Sequence, residues 1–295
     1  RLVTTGQRHI KNMINFKSNS DRPVVLSLGA GVQSTALALM AAKKAVSPMP
    51  EFAIFADTQA EPQYVYDHLE YLIKVLPYPV EVVTAGSLTE KSLQERHRKK
   101  DGTSYMAKEI PLFGILPSGK ITGALGRQCT SDFKIQPIIK YLRKKFNIKR
   151  GEKDPMVTQW LGISWDEVQR MKPSRVPFTV YEWPLIDLRM RRSHCEQWLL
   201  DNDFKIPPRS ACYYCPFHSD VEWREIRNKA PEDFQKAIEF DKQIRAKFLK
   251  YDKMNMEVFL HRSCKPLDEV DFDSDTDKGQ QVFDFTSECE GMCGI

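Results

Sequence analysis

The sequence has no apolar run long enough to cross a bilayer, and its first residues do not form a secretory signal. We therefore expect a cytoplasmic protein without a membrane partner. No internal repeat is present. Apolar and charged residues make up 41% and 28% of the chain, which is typical of a globular protein. A length of 295 residues allows one large domain, or one domain with a sizeable appendage.

The cysteines are odd in number, which argues against a disulfide framework. The net charge is small and does not by itself indicate a binding partner. Seven cysteines, an odd number, indicate metal or redox chemistry in such a chain. The net charge is only +5. Basic runs at residues 96–100, 143–150 and 189–192 favour a polyanion such as RNA or DNA, although each run alone is typical of a solvated helix face.

The hydrophobic pattern predicts strands that alternate with helices. Strands are predicted at residues 24–27, 51–56, 80–84 and 157–163, and helices at 35–44, 64–76, 133–146, 193–202, 221–228 and 231–249. This alternation predicts an α/β fold with a doubly wound parallel sheet, which binds ligands beyond the carboxyl ends of its strands. The glycine-containing residues 99–128 predict a long irregular loop or lid.

Four segments follow from this pattern. Residues 1–20 form an amphipathic N-terminal helix, and residues 21–190 form a nucleotide-binding domain. Residues 191–265 form a helical, cysteine-containing subdomain. Residues 266–295 form an acidic, mobile tail that ends in a cysteine pair.

Residues 27–34 form a small-residue loop between an apolar strand and an apolar helix. Gly29 and Gly31 allow backbone angles and a close approach that other residues forbid. The N–H groups of the loop and the positive end of the helix would face one point, which suits a phosphate or another compact anion. The loop matches neither the Walker pattern nor the dinucleotide pattern. The sequence therefore predicts a nucleotide site of another kind.

This loop resembles the PP-loop of the adenine-nucleotide alpha-hydrolase superfamily, which includes ATP pyrophosphatases, tRNA thiolases and phosphoadenylyl-sulfate reductases. The family loop runs Ser-Gly-Gly-x-Asp-Ser, and the stretch here is Gly29-Ala30-Gly31-Val32-Gln33-Ser34. Gln33 replaces the usual acidic residue, as a non-acidic residue does in the sulfonucleotide reductases. Asp57-Thr58, residues 162–170 and residues 184–187 resemble further reductase segments, so the matches span roughly residues 22–235. Asp57 is also typical of a helix N-cap.

The resemblance implies that ATP or another adenine nucleotide binds here, with Mg²⁺ as a further cofactor. The implied nucleotide-binding residues are Ser27, Gly29, Ala30, Gly31, Gln33, Ser34, Asp57, Thr58, Gly162, Glu167 and Arg170. Arg127, Lys134 and Arg170 would offset the negative charge of the nucleotide.

Cysteines form a second constellation. A Cys-x-x-Cys turn such as Cys212–Cys215 can place two thiolates on one metal or cluster. Cys129 and Lys134 match the Cys-Cys-x-x-x-Lys element of the iron–sulfur reductases, with Thr130 in place of the second cysteine. The resemblance implies a 4Fe-4S cluster on Cys129, Cys212 and Cys215. One iron would be open to hold a sulfide, unless Cys195 closes the set.

Two other interpretations of the cysteines stay open. Cys195, Cys212, Cys215 and His218 offer four ligands for a structural Zn²⁺. Alternatively the thiols are free and some are buried as small apolar groups, for which Cys264 is the best candidate.

The last residues are loosely similar to the mobile Glu-Cys-Gly end of the sulfonucleotide reductases. Cys293 would attack the sulfur of a bound substrate, and Cys289 would resolve the intermediate as a disulfide. The other interpretation is a terminus with no role.

Three functions follow. The first is a PP-loop sulfurtransferase, in which ATP activates a carbonyl on a tRNA or DNA base and sulfur displaces the adenylate, with a sulfur-carrier protein as a possible partner. The second is a sulfonucleotide reductase. The third is a zinc-stabilised nucleotide-binding module without turnover. The implied catalytic residues are Cys129, Lys134 and Cys293.

Overall fold

The computed structural model describes residues 16–273, apart from residue 19, residues 98–99, residue 101 and residues 252–255. The strands are β1 (Phe16–Lys17), β2 (Val24–Ser27), β3 (Val46–Ser47), β4 (Phe52–Asp57), β5 (Val80–Thr84), β6 (Glu95–His97), β7 (Ser104–Met106), β8 (Phe113–Ile115), β9 (Ile121–Thr122), β10 (Val157–Leu161), β11 (Thr179–Glu182) and β12 (Glu257–Phe259). The helices are α1 (Val32–Ala42), α2 (Gln63–Val75), α3 (Leu88–Leu93), α4 (Gln136–Lys145), α5 (Pro184–Asp187), α6 (Arg192–Asp201), α7 (Asp220–Lys229) and α8 (Pro231–Tyr251). A π-helical turn spans Thr130–Ile135, and 3-10 turns span Trp165–Arg170 and Leu267–Glu269.

A five-stranded parallel sheet in the order β11-β10-β2-β4-β5 forms the centre of the molecule. From β2 the chain moves to β4 and β5 on one side, and it later returns to β10 and β11 on the other. The switch point of the sheet therefore lies between β2 and β10, where such folds bind ligands. Both of these strands are buried along their whole length. This explains the apolar run of β2, whereas β10 also buries the polar Thr158 and Gln159.

Helices cover both faces of this sheet. Every residue of α1 except Ala42 is buried, because α1 lies between the sheet and α6. Leu37 and Met40 of α1 share this core with Trp160. On the opposite face, Ile138 and Leu142 of α4 pack in a second core. The predicted doubly wound α/β fold is confirmed.

The C-terminal part has a core of its own. Tyr214, Trp223 and Phe240 are buried there among residues of α7, α8 and β12. The carboxylate of Asp241 accepts hydrogen bonds from the N–H groups of Leu260 and Leu267, at 3.1 and 3.2 Å. These bonds attach the segment after β12 to α8.

Most predicted elements agree with the structure to within a few residues, but the edge strand β11 and the helix α3 were not predicted, and three predicted segments differ. The segment at 99–128 is not one irregular loop, because β6 pairs with β7 and β8 pairs with β9 and β12 in two small antiparallel sheets. The predicted N-terminal helix lies mostly outside the described residues, and its end is the short strand β1, parallel to β3. Leu267 and Phe272 of the predicted mobile tail are each 1% exposed, so residues 266–273 belong to the packed region. No helix among the described residues combines the length and the apolar character that a membrane span needs.

Candidate functional site

The loop between β2 and α1 makes its turn at an alanine. Ala30 has a φ of 59°, whereas Gly31 is extended at φ −91° and ψ −176°. The prediction that Gly29 and Gly31 supply the unusual backbone angles is therefore wrong, since neither has a left-handed φ. A left-handed residue other than glycine is strained by about 1–2 kcal/mol, and such strain is frequent at binding sites.

The amino end of α1 carries no neutralising group of its own. It has no side-chain cap and no acidic residue in its first turn. The N–H of Gly29 donates to Oγ of Ser34 at 3.2 Å, and that hydroxyl donates to the Gly31 carbonyl at 3.4 Å. The loop is buried and closed on itself by Ser34, and the first turn of α1 contributes no carboxylate that would offset the positive end of the helix.

Gln33 joins the loop to the segment after β10. Gln33 is buried, with 1% of its surface exposed. Its Nε2 donates to Ser164 Oγ at 3.4 Å and to Glu167 Oε2 at 3.3 Å. Its Oε1 accepts a hydrogen bond from Nη1 of Arg192 at 3.3 Å. Glu167 in turn pairs with Arg170 at 2.5 Å. The structure thus brings Gln33, Glu167 and Arg170 together at the switch point, where Gly162 directly follows β10.

Asp57 stabilises the turn that follows β4. Its Oδ1 accepts hydrogen bonds from the N–H of Gln59 at 2.7 Å and from the hydroxyl of Tyr66 at 2.8 Å. It does not cap a helix, since α2 begins further on, after Pro62. The hydrogen bond with Asp57 and burial together raise the pKa of Tyr66, with burial the larger cause.

Thr58 lies with the cysteines. It is 1% exposed, and its Oγ1 is 3.4 Å from Sγ of Cys212. The N–H of Tyr213 donates to the Ala60 carbonyl at 2.8 Å. The Cys212–Cys215 turn therefore packs directly on the segment after β4.

Cys129, Cys212 and Cys215 line one cavity of about 30 Å³, together with Thr58 and Lys134. A cavity of this volume has room for roughly two water molecules. Burial raises the pKa of the Cys212 thiol, and Glu61 raises it further, whereas Lys134 lowers it.

Cys129 stands at the start of the π-helical turn. Its N–H donates to the Glu109 carbonyl at 2.8 Å. The same turn carries Lys134 to the cavity wall. Single π turns are rare and occur often at functional sites.

Lys134 and Glu61 pair beneath the thiols. Nζ of Lys134 lies 3.6 Å from Oε1 of Glu61, and their side chains are 7% and 1% exposed. Oε2 of Glu61 accepts a hydrogen bond from Ser210 Oγ at 3.3 Å. Arg127 also lines the cavity and stacks over the ring of Phe217 at 5.1 Å. Two cations therefore stand beside the sulfurs.

The cavity fits an iron–sulfur cluster in donor type, since three sulfur donors share its wall. Within the described ranges, no group of three or more His, Cys, Asp and Glu side chains is drawn together tightly enough to hold a metal ion. Cys195 lies elsewhere. It is fully buried in the core between α1 and α6, on the face of α6 that packs against α1. Nε2 of His218 donates to the Cys212 carbonyl at 2.9 Å. The four proposed zinc ligands are therefore not assembled, and Cys195 is not at the cavity.

Cys289 and Cys293 lie outside the described residues. Cys264 is buried, and burial raises the pKa of its thiol.

Sequence reasoning missed the role of Arg192, Ser164 and Glu61 at this edge of the sheet. Arg192 was noted only as part of a basic run, and its bond to Gln33 joins residues 159 apart in sequence. The only local signal for Ser164 and Glu61 was their position shortly after a strand, β10 and β4 respectively, at the edge of the sheet where ligands bind.

A parallel sheet with a strand–loop–helix unit at its switch point is a doubly wound α/β architecture. No protein-family profile and no curated protein matches the sequence. Among solved structures, the phosphoadenylyl-sulfate (PAPS) reductase from Candida auris, in a phosphate complex, is 12% identical with a TM-score of 0.40, over 64% of this chain and 76% of the reductase. The U34-tRNA thiolase NcsA from Methanococcus maripaludis, with its 4Fe-4S cluster, is 11% identical with a TM-score of 0.35, over 81% of this chain and 77% of the thiolase.

Proposed function

We propose that the chain is a nucleotide-dependent sulfur-transfer enzyme that acts on a nucleobase of RNA or DNA. One observation carries the proposal: Cys129 and the Cys212–Cys215 turn line a single cavity with Thr58, at the end of β4. The carboxyl ends of β2, β4 and β10 share one edge of the sheet. The thiols and the candidate nucleotide loop therefore belong to the same end of the molecule.

The loop binds the phosphates of ATP in this proposal. The uncapped end of α1 supplies N–H donors and a positive partial charge. Because Gln33 is neutral, the first turn of α1 brings no repulsion to a phosphate. Gln33 also bonds to Glu167 and Arg192, which fixes the loop against the segment after β10.

The reaction has two steps. A carbonyl oxygen of the base attacks the α-phosphorus of ATP, and pyrophosphate leaves with the electron pair of the broken P–O bond. Sulfide then attacks the activated carbon, and AMP leaves with the former carbonyl oxygen. No electron is gained or lost overall, so sulfide is the only co-reactant besides ATP.

Lys134 holds a cation beside the three thiols, and its charge partly offsets the burial that raises the pKa of the Cys212 thiol. Glu61 fixes the ammonium group of Lys134 in place. A 4Fe-4S cluster bound to Cys129, Cys212 and Cys215 would supply the sulfide at an iron with an open coordination position.

Anaerobic analysis of iron, zinc and acid-labile sulfide tests the metal assignment. We expect iron and sulfide in the native chain and their loss in Cys129→Ala, Cys212→Ala and Cys215→Ala. Cys195→Ala and Cys264→Ala are matched controls, because neither residue lines the cavity. Protein that contains zinc alone under anaerobic conditions would contradict the proposal.

Equilibrium binding of ATP tests the loop. Ser34→Ala removes the hydroxyl that closes the loop and should weaken ATP binding by about tenfold, which corresponds to the loss of about one intramolecular hydrogen bond. Ser118→Ala, at an exposed position, should leave binding unchanged. Equal affinities in the two variants would remove the loop from the site.

A further inference from the structure

A second and much larger cavity lies beside the cysteine turn. Its volume is about 600 Å³, within the usual size of small-molecule sites. Arg192 and His218 both line it. Arg192 also bonds to Gln33 of α1, and His218 bonds to the Cys212 carbonyl. The cavity therefore lies between the candidate nucleotide loop and the cysteine turn.

His218 presents an acceptor to this cavity. Its side chain is 4% exposed. Because the Cys212 carbonyl can only accept, Nε2 carries the hydrogen of the neutral ring. Nδ1 is buried and has no hydrogen-bond partner among the described residues. The nearest carboxylate oxygen, Oε2 of Glu222, is 3.9 Å away and accepts from the N–H and hydroxyl of Ser219.

Arg209 presents a donor to the same cavity. Its guanidinium group pairs with Oε1 of Glu222, so it lies on the same side of the cavity as His218. Its Nε is buried and donates to no acceptor within the part of the chain that the structure describes. A buried donor and a buried acceptor thus flank Glu222, each lacking a partner, which is costly without a ligand.

The remaining walls suit a flat heterocycle. Ile206, Pro207 and Pro208 form an apolar wall, and Tyr64 contributes an aromatic ring. Bases that leave a stack are held in this way, by aromatic or apolar contact on their faces and hydrogen bonds along one edge. The Watson–Crick edge of a base offers a donor next to an acceptor.

We propose that this cavity binds the acceptor nucleobase, whose Watson–Crick donor bonds to Nδ1 of His218 and whose neighbouring acceptor bonds to Nε of Arg209. This inference rests on the proposed sulfur-transfer function, and it names the place where the second substrate binds. A base held there lies one side chain away from the cysteine turn, since His218 contacts both.

Equilibrium binding of nucleosides to the full chain, without ATP, tests the proposal. Cytidine should bind, and N4,N4-dimethylcytidine, which has no amino hydrogen for His218, should bind about tenfold more weakly. Arg209→Met and His218→Gln should also lose about tenfold. Gln keeps a donor near the position of Nε2 but lacks an acceptor at Nδ1, whereas His218→Asn keeps that acceptor and should bind better than His218→Gln.

Arg150→Met is the matched control, since Arg150 is exposed and far along the chain from the cavity. Cytidine that does not bind, or that binds equally to native chain, Arg209→Met and His218→Gln, would overturn the proposal. Competition between ATP and cytidine would also overturn it, because the cavity would then hold the base of the cofactor. The methylated nucleoside tests the same bond in native protein, so a variant that fails to fold does not leave the question open.

Iron, acid-labile sulfide and ATP binding are measured on the same preparations. If those fail while cytidine binding depends on His218 and Arg209, the sulfur-transfer function is wrong and the cavity assignment stands as a nucleobase site. If ATP binds and iron is present while cytidine does not bind, the cavity assignment alone is wrong.

Discussion

Lys134 and Glu61 form an ion pair that is almost fully removed from solvent, with Nζ 3.6 Å from Oε1. The pair connects the π-helical turn after Cys129 to the segment after β4. It therefore fixes one thiol relative to the strand end that carries Thr58.

We expect Lys134→Met to lower the free energy of unfolding by about 3–5 kcal/mol, because it removes the ammonium group that pairs with the buried Glu61 carboxylate. The double variant Lys134→Met, Glu61→Gln should recover part of that loss. Urea denaturation followed by circular dichroism measures both. Lys229→Met breaks an exposed pair with Glu225 and should cost less than about 1 kcal/mol. Equal losses in the two single variants would contradict the burial of the Lys134 pair.

Gln33→Glu should destabilise the chain by about 1–3 kcal/mol at neutral pH, because it places a buried carboxylate against Glu167. Burial and Glu167 would raise the pKa of the new carboxyl above its unfolded value. The deficit should therefore be small near pH 4 and grow as the pH rises through that value. Denaturation at several pH values measures this. Gln243→Glu, at an exposed glutamine bonded to Glu239, should show little effect. A deficit that does not change with pH would argue against the contact.

Because His68 is partly buried, we expect the free energy of unfolding to fall in mild acid. Its Nε2 lies 3.0 Å from Thr35 Oγ1 of α1, and burial lowers its pKa to about 4. As the pH is lowered, the unfolded chain therefore binds the proton before the folded chain does. The contribution of His68 to the free energy of unfolding is complete above pH 6.5 and falls by up to about 3 kcal/mol as the pH is lowered to 4. His68→Gln should flatten the profile of stability against pH in this window. His97→Gln, at an exposed position, is the control. A native profile that is already flat from pH 6.5 to 4 would count against a buried neutral imidazole.

Asp220 attaches the segment after β12 to the amino end of α7. Its carboxylate oxygens each lie 2.8 Å from a partner, Nε2 of His261 and Nη2 of Arg262. Asp220→Asn should lower the free energy of unfolding by about 1–3 kcal/mol, since it removes the charge and one acceptor from a buried site. Thermal and urea denaturation measure the change. Asp268→Asn, which breaks an exposed pair with Lys242, should cost much less.

The sheet and its helices were predictable because their signals are local. Strands such as β2 and β4 are buried and therefore mostly apolar, and α1 is mostly apolar because it lies between two layers. Residues 99–128 were not predictable, because β8 is completed by β12, more than a hundred residues later. A short strand with a distant partner leaves no periodic pattern to detect.

The site was predictable as a set of residues and not as a set of contacts. The loop, the Asp57-Thr58 turn and the cysteine turn could all be recognised from short motifs. Whether a cysteine lies in a core or at the cavity depends on helix packing. The sequence therefore could not show that Cys195 is a core residue whereas Cys129 lines the cavity. The partners of Gln33 come from three different segments, and the pairing of Lys134 with Glu61 joins two more. Such contacts follow from the topology of the sheet, which no single segment encodes.

The turn at Thr130–Ile135 closes with i→i+5 hydrogen bonds, where an α-helix would close with i→i+4. An α-helix rotates by about 100° for each residue. Excision of one residue from this stretch would restore ordinary winding and swing the sulfur at position 129 out of the wall that it shares with the other two. The length of this six-residue turn therefore sets the direction in which the Cys129 sulfur points.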